Sequence, residues 1–332
     1  MTDRFISVDW GTSNLRVRLA SRPDGRILGQ IATDEGAAPL AAEHPAAQRA
    51  EAFRRTLLRA MEQLSSSCNA EIDALPVVIS GMASSTLGWR ELEYARLPFA
   101  LDGRNLVCQA LPSLSPSAGS SPVLLLSGVR SGNDVMRGEE TEALGLWQHL
   151  DRRDDGPAVW IFPGTHSKHL SVERGSLIDC RTYMTGELFD VLRANSVLRH
   201  AMQSAANGES FEVIDFGDDF QAGLEEARTA VLTNALFHVR TRAVLSGTSG
   251  PANAAFLSGL LIGAEIATIE RNRTSVARVV LCATEKMALP YRQALDYFGL
   301  AASSLVVPAE AVATLSVRGQ CVALDRHVAK LE

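Results

Sequence analysis

A strand, a polar glycine turn and a second strand occur in the same order at two places in this chain, and this pattern limits the fold more than any other feature. Phe5-Ile6-Ser7-Val8 leads into Asp9-Trp10-Gly11-Thr12-Ser13-Asn14, after which Leu15, Val17 and Leu19 alternate with Arg16 and Arg18. A β-favouring run before a polar turn and strict alternation after it predict a hairpin with one buried face. Ala158-Val159-Trp160-Ile161-Phe162, the turn Pro163-Gly164-Thr165-His166-Ser167 and the run Lys168–Val172 repeat the pattern. In each place a further turn, Pro23-Asp24-Gly25 or Arg174-Gly175, introduces a third strand, Arg26–Thr33 or the run ending near Cys180. The two copies share little identity, so the symmetry is one of pattern.

A chain of 332 residues exceeds the usual size of one hydrophobic core, and two domains are the expectation. The charged, turn-rich stretch Asp151-Arg152-Arg153-Asp154-Asp155-Gly156-Pro157 marks the junction, giving domains 1–150 and 151–332, with the last helix open to packing back on the first. In the first domain, 34–44 reads as loop, 45–67 as an amphipathic helix and Pro76–Ser80 as a buried strand ending at Gly81. Val123–Ser127 is another buried strand, and Glu139–Leu150 a helix. In the second, helices are expected near 185–205, 216–243 and 251–271, then a strand at Ala277–Cys282, a helix at Met287–Phe298, a short strand at Ser304–Val307 and a helix from Glu310. Residues 112–122 and 207–217 read as insertions.

Composition removes several classes of function. A net charge of −6 argues against an electrostatic nucleic-acid binder. The five cysteines are scattered without a C-x-x-C pair, which argues against a zinc site or a disulfide framework and fits a reducing cytoplasm. No apolar leader precedes the first strand, and the longest apolar run, Phe256–Ile269, is interrupted by Ser258, Gly259, Gly263 and Glu265. No membrane partner is expected, and self-association is left open.

The first turn has the chemistry of a phosphate cradle. Gly11 lets backbone amides approach a ligand, Thr12 and Ser13 add hydroxyl donors, and Asp9 at the strand end suits a hydrated Mg²⁺. A dinucleotide fingerprint or a Walker loop is ruled out, because both need a helix after the glycines and here a strand follows. An ordinary polar hairpin is the competing reading of the turn in isolation.

The layout of two glycine-turn hairpins heading two α/β halves resembles the actin-like ATPase superfamily. Longer phrases narrow the likeness: Val8–Arg16, Gly81-Met82 with Gly88-Trp89, Asp134–Thr141, Pro163–Lys168, Met184–Leu188 and Phe256–Glu265. In this order they resemble the 2-dehydro-3-deoxygalactonokinase family over residues 4–320. The resemblance implies an α/β fold of two ribonuclease H-like, actin-like lobes around an ATP and substrate cleft. It implies ATP and Mg²⁺ as cofactors and phosphorylation of a small sugar acid, 2-dehydro-3-deoxygalactonate, at its 6-hydroxyl. The rival readings are a kinase for another sugar or sugar acid, and a phosphohydrolase on the same fold.

The resemblance also distributes roles. Asp134 is the candidate base, as the acid between the two turns, with Glu139 the runner-up and Glu140 behind it; an N-cap is the competing role for Asp134. Asp9 is the metal residue. Gly11, Thr12, Ser13, Gly164, Thr165 and Ser167 face phosphates, and Lys168 adds a charge to the transferring group or caps an exposed face. Arg16, Arg90 and Arg137 are candidates for the substrate carboxylate, and Ser84, Ser85 and Trp89 for the sugar. His166 reads as a hydrogen-bonding turn residue. Glu187 is either a first-turn acid or a substrate neighbour, and Gly259 and Gly263 allow close helix packing.

Overall fold

The structure, a computed structural model, describes residues 3–114, 121–151, 156–203, 215–271 and 276–329. The opening alternation becomes β1 (Arg4–Trp10), β2 (Leu15–Ser21) and β3 (Ile27–Thr33), an antiparallel meander whose register sets Asp9 opposite Arg16. Next come α1 (Ala37–Glu43) and α2 (Ala46–Cys68), then β4 (Val77–Gly81). The stretch read as loop therefore contains a helix. Its seven residues are too few for a periodicity to show, and its start is tied by hydrogen bonds from Ala37 and Ala38 N–H to the carbonyls of Gly11 and Thr12. α2 turns Phe53, Leu57, Ala60, Met61 and Leu64 inward at helical spacing, against Ile6, Val8 and Val17 of the sheet. Burying each large side chain of this kind contributes about 1.5–3 kcal/mol.

The half continues with β5 (Ala95–Arg96), β6 (Phe99–Ala100), β7 (Cys108–Leu111), β8 (Val123–Leu126), β9 (Val129–Arg130), β10 (Val135–Met136) and α3 (Glu139–His149). The main sheet has the order β3-β2-β1-β4-β8-β7, with β4 and β8 parallel to β1 and β7 antiparallel at the edge. A parallel neighbour needs a crossover, which α2 provides between β3 and β4. β10, β9 and β5 form a small separate sheet.

The second half contains β11 (Ala158–Phe162), β12 (Ser167–Glu173), β13 (Ser176–Tyr183), α4 (Thr185–Asn195), α5 (Asp218–Thr229), α6 (Leu232–Ser246) and α7 (Gly250–Arg271). β14 (Arg278–Leu281), α8 (Glu285–Tyr297), β15 (Ser304–Val306), α9 (Ala309–Val312) and α10 (Leu315–Val328) complete it. The segment expected to be one helix over 216–243 is two, broken at Ala230 and Val231. Much of the expected insertion at 207–217, and part of that at 112–122, lies outside the described residues.

The second sheet runs β15-β14-β11-β12-β13-β6. The turns joining β11, β12 and β13 are too short for a crossover, so these strands form a meander, while β14 and β15 run parallel to β11. The orders β3-β2-β1-β4-β8 and β13-β12-β11-β14-β15 are thus the same arrangement, a three-stranded meander extended by two parallel strands. This is the ribonuclease H-like order of actin-like lobes.

The chain divides into two compact units, and the division is not a single cut. One comprises Met1–Asp155, Val172–Cys180 and Glu310–Glu332, the other Gly156–Ser171 and Arg181–Ala309. In the first unit α10 packs on α3, β4 and β1, and its fully buried Gln320 donates to the Val8 carbonyl and to Ser80 Oγ, each at 2.9 Å. In the second unit α5 lies against α7 at a distance only glycine permits, since a Cβ on Gly259 would stand 2.1 Å from the Phe220 carbonyl oxygen. By length and composition α7 could cross a membrane, but most of its surface is buried in the unit's own core.

Candidate functional site

In the first unit the turn after β1 is closed by the Gly11 N–H, which donates to the Asn14 carbonyl at 2.8 Å. Gly36, Ala37 and Ala38 N–H groups take the carbonyls of Ser13, Gly11 and Thr12. The turn's acceptors are therefore directed at α1, while the side chains of Thr12 and Ser13 are exposed. That polarity suits an anionic ligand, because acceptors that would repel it are already engaged. Asp9 pairs with Arg16 at 3.1 Å, so the candidate metal residue and the candidate substrate arginine are direct neighbours.

The loop after β4 starts at Gly81, whose φ of +86° only glycine adopts without strain. Ser84 and Ser85 follow in a single 3₁₀ turn and are buried. Arg137 donates to Ser84 Oγ at 2.7 Å and to the Leu92 carbonyl at 2.9 Å, and lies over the Tyr94 ring at 3.9 Å. Trp89 packs beside Trp10 and Phe53, with ring centroids 6.4 Å from each. Ser84 and Arg137 are thus brought together, while Trp89 packs on the Trp10 and Phe53 rings, and all three are engaged inside the unit. Arg16 and Arg90 are the exposed members of the substrate set.

Asp134 sits in a tight loop before β10, where its N–H donates to Ser131 Oγ at 3.0 Å and its Oδ1 accepts from the Val135 N–H at 2.7 Å. The competing role of helix cap falls away, because the N-cap of α3 is Gly138. The first turn of α3 carries Glu139, Glu140 and Glu142. Glu140 is buried; its carboxylate accepts from the Gly138 N–H at 2.7 Å and from Thr141 Oγ1 at 2.9 Å. Burial, reinforced by the charge of Glu139, pushes Glu140 up to about 7. Glu142 is pushed up to about 8, first by burial and then by Glu139, Asp9 and Glu140, against the opposing Arg18. Glu142 keeps some exposure, so solvent screens part of that effect. Glu142 was not singled out from sequence, though three acids in one first helical turn were visible there.

The second unit holds the other turn, Pro163–His166, between β11 and β12. The start of α4 closes on it: the Glu187 N–H donates to the Thr165 carbonyl at 3.0 Å, and a Cβ on Gly186 would stand 2.6 Å from the Gly164 carbonyl oxygen. This contact explains Gly186 in the Met184–Leu188 phrase. The Glu187 carboxylate also pairs with His166 Nε2. Lys168 is buried, and its Nζ donates to the His166 carbonyl at 3.2 Å, so it is no cap on an exposed face. Ser167 is fully buried, and its hydroxyl donates to Glu265 Oε1 at 2.6 Å. The turn's exposed hydroxyl is that of Thr165.

Glu265 was likewise not singled out as a site residue, although a carboxylate inside an apolar helix is a signal in itself. Its Oε1 accepts from Ser167 Oγ and from His169 Nε2 at 2.7 Å, and its Oε2 accepts from Thr185 Oγ1 and from Tyr291 OH at 2.9 Å. Burial alone would raise this carboxyl; hydrogen bonds and charge from His169, then Ser167 and Thr185, hold it below the ordinary value instead. Tyr291 is driven well above the usual phenol range by burial and by the charge of Glu265.

Both units therefore present a hydroxyl-bearing glycine turn at the end of the first strand of the same five-strand arrangement, and the first adds a crowded set of acids. The model of the 2-keto-3-deoxy-galactonokinase family matches residues 9–317, a span that includes both turns. The chain belongs to this family. It is 32% identical over 296 residues to a probable 2-dehydro-3-deoxygalactonokinase of Rhizobium meliloti, covering 89% of this chain and 90% of that one. It is 30% identical over 300 residues to the 2-dehydro-3-deoxygalactonokinase of Escherichia coli, covering 90% and 91%. The crystal structure of a putative 2-dehydro-3-deoxygalactonokinase from Sinorhizobium meliloti superposes with a TM-score of 0.78 at 31% identity, over 96% of this chain and 99% of that one. This galactonokinase-family chain is a sugar-acid kinase.

Proposed function

We propose that the chain transfers the terminal phosphoryl group of ATP to the 6-hydroxyl of 2-dehydro-3-deoxy-D-galactonate. The observation that carries this reading is the family match over 9–317, which takes in both turns and the acid-rich Asp134–Thr141 segment. In the transfer the sugar oxygen bonds to the γ-phosphorus, the bond from that phosphorus to the bridging oxygen breaks, and ADP leaves. The hydroxyl proton goes to Asp134, with Glu139 as the alternative acceptor.

The exposed Thr12 and Ser13, on the turn that begins at Gly11, in one unit, and Gly164 and Thr165, in the other, would hold phosphate oxygens. Lys168, buried beneath its turn, would contribute positive charge. Arg16 is the favoured partner for the substrate carboxylate, while Arg137, Ser84, Ser85 and Trp89 would shape the loop behind it. Among the described residues no group of three or more acids, histidines or cysteines is arranged to hold a metal directly. Mg²⁺ commonly keeps its waters and arrives on the nucleotide phosphates, with one or two carboxylates behind it. The acids near Asp9 fit that mode: Glu142, raised first by burial, is raised further by the charges of Glu139, Asp9 and Glu140, which a cation would offset. When bound, the cation would neutralise charge on the transferring phosphates. The five cysteines form no disulfide, which suits a cytoplasmic setting.

A coupled ADP-release assay over a panel of sugars and sugar acids tests the assignment. Stimulation by the galacto keto-deoxy acid is expected. Turnover of neutral sugars alone would refute the substrate, and ATP consumption without any acceptor would refute the kinase reading. Asp134→Asn should lower kcat by about 10²–10⁴ and Glu139→Gln by much less; the reverse order would transfer the base to Glu139.

A further inference from the structure

Glu265 bonds to neither exposed residue of the second turn, yet the strand that follows this turn and the helix that closes on it both lead to Glu265. Ser167 is the first residue of β12 and directly follows the turn, and its hydroxyl bonds Oε1. His169, two residues on along the same strand face, bonds the same oxygen. Thr185 is the first residue of α4 and bonds Oε2; the next two residues, Gly186 and Glu187, are the ones packed on and bonded to Gly164 and Thr165. Tyr291, in the middle of α8, also bonds Oε2. A carboxylate has about four lone-pair sites, and all are taken without an arginine or lysine.

We propose that Glu265 is the positioning residue of the Gly164–His166 turn, fixing the strand after the turn and the helix closed upon it, so that the turn's amides are set for the nucleotide phosphates before ATP arrives. This rests on the reading that the turn binds ATP phosphates. A buried carboxylate saturated by donors from several elements is stiff, because moving any donor leaves charge uncompensated at low dielectric. Preorganised donors lose no free energy to reorganisation when the ligand binds. The network therefore acts on nucleotide affinity more than on sugar-acid affinity.

Thr185 and Tyr291 give a matched pair for the test, since each donates one hydrogen bond to the same oxygen. Only Thr185 begins the helix that closes on the turn. Thr185→Val should raise KM for ATP about fivefold or more and leave KM for the sugar acid within twofold, while Tyr291→Phe should leave both within twofold. Glu265→Gln should raise KM for ATP about tenfold or more, read on protein whose far-ultraviolet dichroism matches the parent. Thr165→Val, in the turn itself, is the reference. If it raises KM for ATP while Thr185→Val and Tyr291→Phe behave alike, the network is merely structural and the proposal fails by itself. If Thr165→Val leaves KM for ATP unchanged, the reading of the turn fails and takes the proposal with it.

Discussion

Glu140→Gln should reverse the sign of its effect on stability between mildly acid and mildly alkaline pH. The folded carboxyl titrates near 7, against 4.5 for the free group. A raised value means that the folded state binds the proton more tightly than the unfolded chain does. Stability from the protonated form is thus complete below about pH 4.5, falls as pH rises through the window up to about 7, and is gone above it. At about 1.4 kcal/mol for each tenfold change in proton affinity, the loss is about 3 kcal/mol. Glutamine carries no charge to bury, but its amide can replace only one of the two acceptors now serving Gly138 N–H and Thr141 Oγ1, a loss of about 1 kcal/mol. The variant should therefore be about 1 kcal/mol less stable than the parent near pH 4, where the parent's carboxyl is protonated in both states, and about 2 kcal/mol more stable near pH 8.5. Thermal melts of both proteins in one buffer series, without nucleotide or divalent cation, measure the difference directly. A variant that is less stable by the same margin at every pH would show that the buried carboxyl stays ionised in the fold, and the reasoning would be wrong.

Two further perturbations probe the turns. Asp9→Asn should raise the Mg²⁺ concentration needed for half-maximal activity by about tenfold or more at fixed ATP, with KM for the sugar acid unchanged; an unchanged magnesium titration would remove Asp9 from the metal role. Gly186→Ala places a Cβ 2.6 Å from the Gly164 carbonyl oxygen and should cost about 1–3 kcal/mol of stability, the usual range for overpacking. It should also raise KM for ATP, and a melt and KM equal to those of the parent would show that α4 does not close on the turn as described.

Much of the fold was legible because its signals are local. Leu15, Val17 and Leu19 alternate with arginines, and β2 follows; Phe53, Leu57, Met61 and Leu64 repeat at helical spacing, and α2 follows. α1 was not legible, since seven residues, four of them alanine, show no periodicity and its position depends on bonds to a turn more than twenty residues earlier. The break between α5 and α6 carries no glycine or proline to announce it. In the site, the two turns could be placed from sequence because each follows a buried strand. What each side chain faces could not. Trp89 and Arg137 looked available to a sugar but pack against Phe53 and Tyr94, and Ser167 looked available to phosphate but serves Glu265. Hydroxyls, rings and guanidinium groups satisfy a partner inside the protein as readily as one outside, and tertiary structure alone decides between them.

The place of α10 in the first unit has a consequence for synthesis. Val8 and Ser80 are made early, yet the side chain that ties their strands together is Gln320. Leu315, Val317 and Leu324 of the same helix are buried with it. The first unit therefore waits, with an apolar groove uncovered, while the ribosome builds the whole of the second, which ends at Ala309. The unit translated first is the last to be completed, and a transcript cut short before residue 315 leaves that groove open.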